Sequence, residues 1–301
     1  MPPPFLSAIK EKFLIILVLI FLLWRKTTPY AMFLPKDPAQ LLQSVVVLAK
    51  EAGRRVMEIY SSDFQVNLKE DQSPLTAADL ASHDCLVAGL EKLPQVYPIL
   101  SEESIGVPFE ERSQWETFWL IDPLDGTKEF IKRNDEFTVN VALIDHEQPV
   151  LGVVYAPAKD LCYSAAVGIG AFRQIGETPP EAITVRSSAP SPLRVIGSRS
   201  HSGEELLAYL NRLGDYELMV SGSSLKFCLV ADGSADLYPR IGLTSEWDTA
   251  AAHCVVRAAG GEVTDFQGQP LRYNAKPSIL NPHFLVFGDK SRDWAGIAAG
   301  K

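Results

Sequence analysis

The chain has few of the residues that build zinc sites, redox pairs or basic nucleic-acid surfaces. Its 301 residues include four cysteines, far apart and without a CxxC pair, and five scattered histidines without an HExxH pattern. These spacings argue against zinc binding and thioredoxin-like chemistry, and they are typical of a reducing compartment. The 28 basic residues are outnumbered by 37 acidic ones and form no basic run, so duplex nucleic acid is not an expected partner.

The sequence also lacks internal repeats and long linkers, which favours one large domain or two packed halves. Apolar residues at helical spacing predict helices over 37–60 and 76–93. Alternation from residue 115 onward predicts an antiparallel meander, and short strands alternating with helices follow from residue 193. We therefore expect an α+β metal-binding half, an α/β substrate half and a short tail, at residues 37–180, 181–290 and 291–301.

An apolar stretch of twelve residues, 13–24, stands apart from this pattern, and we expect residues 1–36 to lie outside the fold. The stretch suits a signal-peptide core and is short for a spanning helix. Basic residues flank it on both sides, so the charges set no orientation. Two interpretations stay open, a peripheral or single-segment membrane anchor and a translation start at Met32, with a cleaved signal as the third.

The most informative run is residues 119–128, where a short apolar strand leads into Asp122 and Asp125. Two carboxylates so close together repel each other unless a cation lies between them. Magnesium binds such oxygen ligands, and the carbonyl of Leu124 offers a third between the two. The alternative is a plain turn, because Asp-Pro and Asp-Gly are both common in turns.

Two further acidic clusters, SEES at 101–104 and EWDTAA at 246–251, complete a specific combination with DPLDGT. With these motifs the chain resembles the lithium-sensitive, magnesium-dependent phosphomonoesterases of the inositol monophosphatase superfamily. Within it, the chain is most similar to bacterial 3'(2'),5'-bisphosphate nucleotidases, over about residues 41–287. The resemblance implies the layered αβαβα sandwich of that superfamily, with the metal site in the cleft between the two halves. The closer similarity is carried by residues 122–144, 152–157, 198–201 and 222–228.

The resemblance implies two or three Mg²⁺ ions per site, held by Glu102, Asp122, the Leu124 carbonyl, Asp125 and Asp248. Glu103 would lie beside the ligand and not on the metal. Glu102 has the alternative of a solvated loop residue, and Asp248 that of an N-cap for the helix it precedes. The three residues Lys69, Glu70 and Asp71 are expected on a loop near the metals, and a third, weaker ion there is left open.

The residues expected to act in catalysis are Asp79 and Thr127. The resemblance implies that Asp79 pairs with the Thr127 hydroxyl to orient the attacking water, which is a general-base role. The alternative is structural, since residues 76–79 have the form of a capping box.

Substrate contacts are expected at two helix starts, because free backbone N–H groups there can hold phosphate. Gly126 suits a close backbone approach with positive φ. The alternatives are a plain turn at Gly126, a helix cap at Ser223, and solvated charges at Lys226 and Arg240. The resemblance adds His201 and Arg240, which lie where nucleotide-specific members of the family contact sugar and phosphate. The full expected set is Glu102, Leu124, Asp125, Gly126, Thr127, His201, Ser223, Ser224, Lys226, Arg240 and Asp248.

The function expected from this set is hydrolysis of adenosine 3',5'-bisphosphate to AMP and phosphate by two-metal activation of water. The wider form of the prediction includes the 3'-phosphorylated sulfate donor, which places the protein in sulfur assimilation and nucleotide clearance. An inositol-1-phosphate phosphatase with the same metals is one alternative, and a non-catalytic phosphonucleotide-binding protein is another. The expected location is the cytoplasm, or the cytoplasmic face of the inner membrane if the N-terminal segment is an anchor.

Overall fold

Two mixed β-sheets, with helices against their faces, organise the part of the chain that the structure describes. It is a computed structural model that describes residues 37–68, 74–104, 106–198 and 203–298. The larger sheet has seven strands in sequence order, the first pair parallel and the rest antiparallel. Its strands are β3 (Ile99–Ser101), β4 (Thr117–Asp125), β5 (Thr138–Asp145), β6 (Gln148–Ala156), β7 (Leu161–Ala166), β8 (Gly170–Ile175) and β9 (Glu181–Ala182).

The smaller sheet has five strands in the order β11-β10-β12-β14-β13. The first three are parallel to one another, and β14 runs antiparallel to both of its neighbours. Its strands are β10 (Leu193–Gly197), β11 (Tyr216–Val220), β12 (Leu237–Arg240), β13 (Glu262–Asp265) and β14 (Phe284–Phe287). A separate antiparallel pair is formed by β1 (Val66–Leu68) and β2 (Pro74–Thr76).

The helices form three layers around these sheets. They are α1 (Pro38–Tyr60), α2 (Ala77–Leu90), α3 (Phe109–Arg112), α4 (Thr127–Ile131), α5 (Glu204–Arg212), α6 (Leu225–Ala231), α7 (Glu246–Ala258) and α8 (Trp294–Ala298). Helices α6 and α7 share one apolar core with both sheets, so they lie between them. Helices α1 and α2 pack on the seven-stranded sheet, and α5 and α8 share a second core with the smaller sheet. The predicted αβαβα sandwich is confirmed.

The two central strands of the larger sheet, β5 and β6, are buried at every position. A sheet covered on both faces needs apolar residues throughout, because neither face meets water. Helix α7 packs so closely on β6 that a Cβ at Gly152 would lie 2.2 Å from the carbonyl oxygen of Ala251. The glycine therefore sets the distance between the middle helix layer and the sheet.

Several predicted helices are confirmed with shifted ends. The helix predicted over 76–93 has Thr76 as its N-cap and ends at Leu90, because Pro94 disfavours helical backbone at the residue before it. The helix start expected near Ser223 lies at Leu225, since Ser223 has a φ of +48°. Residues 69–73, which join β1 to β2, lie outside the described part of the chain.

The expectations for the N-terminal segment concern residues 1–36, which also lie outside the described residues. Among the residues that are described, no helix is long and apolar enough to cross a membrane. The four cysteines are all free thiols and all buried.

Candidate active site

A β-bulge in β4 brings the two aspartates of the DPLDGT run to the same face of the sheet. Asp122 pairs with Asn140 and Asp125 with Thr138, so three steps along β4 match two steps along β5. In a regular strand, residues three apart point to opposite faces. The extra residue of the bulge corrects this alternation, and Pro123, which has no N–H to donate, is tolerated there.

The acidic cluster at this bulge consists of Asp122, Asp125 and Asp248, whose carboxylate oxygens lie within 4.8 Å of one another. Asp122 is buried, and its Oδ2 has no hydrogen-bond partner among the described residues. Burial raises the pKa of Asp122 well above its usual value, and the charges of Glu102 and Asp125 add to the effect. Burial and the same neighbouring charges also raise the pKa of Asp248. Such a concentration of negative oxygen atoms fits a hard divalent cation.

Glu102 adjoins this cluster. It opens a 3₁₀ turn, Glu102–Ser104, directly after β3, and β3 runs parallel to β4 with Ser101 beside Ile121. Because the strands are parallel, Glu102 and Asp122 follow these paired residues and lie at the same end of the sheet. The Glu102 charge contributes to the raised pKa of both Asp122 and Asp248, which places its carboxylate near the cluster. The acidic residues expected to hold metal are thus brought together by the fold.

Asp248 has a helix-capping role as well, although not the one expected. The N-cap of α7 is Ser245, and Asp248 is the third residue of the helix. Its Oδ2 accepts a hydrogen bond from the Ser245 N–H at 2.9 Å. The alternative of Asp248 as the N-cap is wrong, because the helix begins at Glu246, two residues before Asp248.

Asp79 and Thr127 meet between α2 and α4. Asp79 is buried, and its Oδ2 accepts bonds from the N–H and the hydroxyl of Thr76, both at 2.7 Å. Its Oδ1 lies 3.3 Å from the Thr127 hydroxyl, which is also 3.3 Å from the carbonyl oxygen of Leu124. The capping box and the pairing with Thr127 are both present, each using a different carboxylate oxygen.

Gly126, which separates Asp125 from Thr127, has a φ of +91°. This is the left-handed region that favours glycine, as expected from the sequence. A Cβ there would lie 3.1 Å from the carbonyl oxygen of Glu136. The turn is therefore closely packed, and it leads directly into the five residues of α4.

A cavity beside the acidic cluster holds the remaining expected contacts. Ser224 lines it, but its N–H and its hydroxyl both bind Asp125 Oδ2, each at 2.6 Å. Ser223 caps no helix, and its buried hydroxyl has no partner among the described residues. The cavity is lined by Asp125, Gly126, Lys128, Glu129, Ser198, Gly222, Ser223, Ser224, Lys226, Phe227, Tyr238, Arg240, Thr244 and Asp248.

Lys226 is not the solvated charge that the alternative interpretation assumed. It is 7% exposed, its Nζ donates to the Ser223 carbonyl at 2.7 Å, and it lies over the Tyr238 ring. No salt bridge joins it to a carboxylate within the described ranges. Burial lowers its pKa to about 8, and the charge of Arg240 contributes in the same direction. Arg240 is only partly buried, and its Nε donates to the Thr244 hydroxyl at 2.8 Å.

Four expected site residues lie outside the described part of the chain: His201, Lys69, Glu70 and Asp71. Conversely, the structure adds residues that the sequence reasoning missed. Asn140 and Thr138 lie within 3.5 Å of Asp125 Oδ2, and the Ser82 hydroxyl donates to the Pro123 carbonyl at 2.7 Å. The alternating polar residues of the FTVN run were the available signal, once β5 is paired with β4.

Comparison with known proteins identifies the family. The chain belongs to the inositol monophosphatase family, whose model matches residues 37–293. It is 52% identical over 248 residues to the 3'(2'),5'-bisphosphate nucleotidase CysQ of Escherichia coli (strain K12), covering 82% of this chain and 99% of that protein. The CysQ nucleotidase of Haemophilus influenzae is 38% identical over 258 residues, with coverages of 85% and 96%. The crystal structure of CysQ from Bacteroides thetaiotaomicron superposes with a TM-score of 0.73 at 41% identity, covering 83% of this chain and 98% of that one. The resemblance found in the sequence is confirmed.

Proposed function

We propose that this protein is a magnesium-dependent 3'(2'),5'-bisphosphate nucleotidase that hydrolyses adenosine 3',5'-bisphosphate to AMP and phosphate. The relatives named as nucleotidases support the substrate class. The observation that carries the proposal is Lys226, a buried cation at the wall of the cavity next to the acidic cluster. In the same proposal the 3'-phosphorylated sulfate donor is a second substrate, since it shares the 3'-phosphate and the nucleotide.

A buried ammonium without a carboxylate partner is costly unless an anion reaches it. Here Lys226 and Arg240 line the cavity together with Asp125 and Asp248, two of the acidic cluster. A substrate with two phosphates can place one at the metal ions held by the acidic residues and the other at the two basic side chains. The scissile phosphate would lie at the metal ions, and the second would lie at Lys226 and Arg240.

The acidic residues would hold the metal ions, with the Leu124 carbonyl as a further oxygen ligand. The donor set fits Mg²⁺, because all of its members are hard oxygen atoms and Asp122 Oδ2 is buried without a donor. Bound Mg²⁺ would activate a water molecule and stabilise the leaving oxygen. Asp79 Oδ1 would accept a hydrogen bond from the Thr127 hydroxyl, whose oxygen would then accept one from the attacking water and orient it.

An inositol-1-phosphate phosphatase needs the acidic cluster but not a second anion site. Family members of known structure that are under 25% identical to this chain show the fold alone, and they do not decide the substrate. For a monophosphate, Lys226 would remain buried without its anion. The non-catalytic alternative leaves unexplained why Asp79 Oδ1 and Thr127 lie in contact beside the cluster.

The test is release of inorganic phosphate with Mg²⁺, from adenosine 3',5'-bisphosphate and from inositol 1-phosphate at equal concentrations. We expect a strong preference for the nucleotide, and loss of release from both substrates in Asp125→Ala. Lys226→Met should weaken the nucleotide reaction far more than the inositol phosphate reaction. A preference for inositol phosphate would overturn the substrate, and magnesium-independent release would overturn the mechanism.

A further inference from the structure

Asp125 is held through one of its two carboxylate oxygens. Oδ2 accepts hydrogen bonds from the Ser224 N–H and the Ser224 hydroxyl at 2.6 Å each, and from Thr138 and Asn140 at 3.5 Å each. None of the described residues donates to Oδ1. The carboxylate is therefore fixed through Oδ2, and Oδ1 has no donor among the described residues.

Ser224 supplies the two shortest of these bonds. It is 2% exposed, and Asn140 Nδ2 donates to its hydroxyl oxygen at 2.7 Å. The hydroxyl has one proton to donate and two acceptors within reach. Its oxygen lies 2.6 Å from Asp125 Oδ2 and 2.8 Å from the Asp248 carbonyl oxygen. A bond to a carboxylate is the stronger of the two. With the Asn140 amide occupying an acceptor position, the hydroxyl is oriented toward Asp125.

The turn that carries Ser224 is itself held in place. The Gly222 N–H donates to Glu136 Oε2 at 2.8 Å, and a Cβ at Gly222 would lie 2.8 Å from the Glu136 carbonyl oxygen. Glu136 directly precedes Phe137 and the strand β5, which contains Thr138 and Asn140. Two segments that are about 85 residues apart in sequence, 136–140 and 222–224, thus form one support behind Asp125.

We propose that Ser224 is a positioning residue for the metal ligand Asp125, and that it does not act as a substrate contact. The sequence suggested a phosphate contact from its place near a helix start. In the structure both of its donors are used on Asp125, which leaves Ser223 and Lys226 as the cavity-facing groups of this segment. This inference rests on the proposed metal-binding role of Asp125.

Partners of this kind, which bind a ligand and not the metal, typically change metal affinity by roughly 10- to 100-fold when removed. Ser224→Ala should therefore weaken Mg²⁺ binding by about tenfold or more, measured by titration calorimetry without substrate. In kinetics it should raise the Mg²⁺ concentration for half-maximal rate, while the nucleotide KM at saturating Mg²⁺ stays close to wild type. Ser224→Thr keeps the hydroxyl and should restore Mg²⁺ affinity.

Ser223→Ala is the matched control, because it removes the neighbouring hydroxyl, which lines the same cavity but binds no described residue. We expect its Mg²⁺ affinity to equal that of the wild type. If Ser224→Ala is too unstable to purify, Ser224→Cys keeps the branching of the side chain in a slightly larger group with a weaker donor, and the same loss is expected. Wild-type Mg²⁺ affinity in the Ser224 variant, or a raised nucleotide KM alone, overturns the inference. If the wild-type protein itself binds no Mg²⁺, the proposed function fails together with it.

Discussion

The hydroxyl of Thr127 lies 3.3 Å from Asp79 Oδ1, which joins the residue after the DPLDG run to the first turn of α2. The other oxygen of the same carboxylate caps that helix by accepting two bonds from Thr76. One side chain therefore holds a helix start with Oδ2 and contacts the proposed catalytic hydroxyl with Oδ1. Because the two oxygens are used separately, the structural and the chemical role can be tested separately.

Asp79→Asn should lower kcat by roughly 10²-fold or more, the range typical of a general base. The amide oxygen can still accept the Thr76 N–H, which leaves the amide nitrogen facing Thr127. Two donors then meet, and the Thr127 hydroxyl loses Asp79 as an acceptor and keeps only the Leu124 carbonyl oxygen at 3.3 Å. Phosphate release at saturating substrate measures this change, and full activity in the variant would remove the catalytic role.

Thr76→Ala is the control for this variant, since it removes the capping hydroxyl and leaves Asp79 in place. Loss of an N-cap costs about 1 kcal/mol of stability, so the melting temperature should fall while kcat stays near wild type. A loss of kcat as large as that of Asp79→Asn would mean that the capping box alone explains both effects.

The sequence predicted the individual helices and strands well, because their apolar patterns are local, whereas the layered arrangement was implied by the family resemblance. The alternating run from residue 138 and the helical spacing from Pro38 each describe one element without reference to another. The bulge at Asp122 and Asp125 could not be predicted in the same way, since it is a property of how β4 pairs with β5. The amino-acid sequence shows how far apart the two aspartates are along the chain, but not the face of the sheet on which each lies.

The sequence predicted which acidic residues come together in the site, but not the residues that hold those carboxylates in place. Glu102, Asp125 and Asp248 were expected together from the resemblance, and the fold gathers them. The role of Ser224 was missed, because its partner Asp125 lies about 100 residues earlier in the chain. A serine near a helix start has the same local signal whether its donors face a phosphate or a buried carboxylate.

The affinity for the nucleotide should decrease as the pH rises through about 8. Burial lowers the pKa of Lys226 to about 8, so the ammonium is protonated below this pH and neutral above it. The second phosphate is attracted only by the protonated form. Because kcat/KM reports the groups of the free enzyme, its profile for adenosine 3',5'-bisphosphate should fall above about pH 8 at saturating Mg²⁺.

Two variants separate Lys226 from other titrating groups. Lys226→Arg retains a positive charge at all these pH values, so the decline should move to higher pH or vanish. Lys226→Met should raise KM by roughly 10- to 100-fold at neutral pH, as expected for the loss of a bond to a charged group. Its kcat/KM should then show no decline near pH 8, and an unchanged decline would assign the profile to another group.

The buried carboxyl group of Glu246 predicts that the stability of the protein depends on pH. Its side chain is fully buried, and burial raises its pKa from 4.5 to about 7, against the opposing effects of the Asn274 N–H, Lys276 and Arg112. Between these two values the folded state keeps a proton that the unfolded state has released, so stability falls as the pH rises. Above pH 7 the full penalty applies, which is about 3 kcal/mol.

Glu246→Gln should remove this penalty, because a glutamine is neutral at every pH and its oxygen can still accept the Asn274 N–H, now bonded at 2.7 Å. We expect the variant to be more stable than wild type at pH 8 and close to it at pH 5, in urea unfolding with saturating Mg²⁺. Glu116→Gln, at an exposed position, should match wild type at both pH values. An equal stability difference at pH 5 and pH 8 would show that Glu246 is ionised throughout, held by Lys276 at 3.7 Å more firmly than burial opposes.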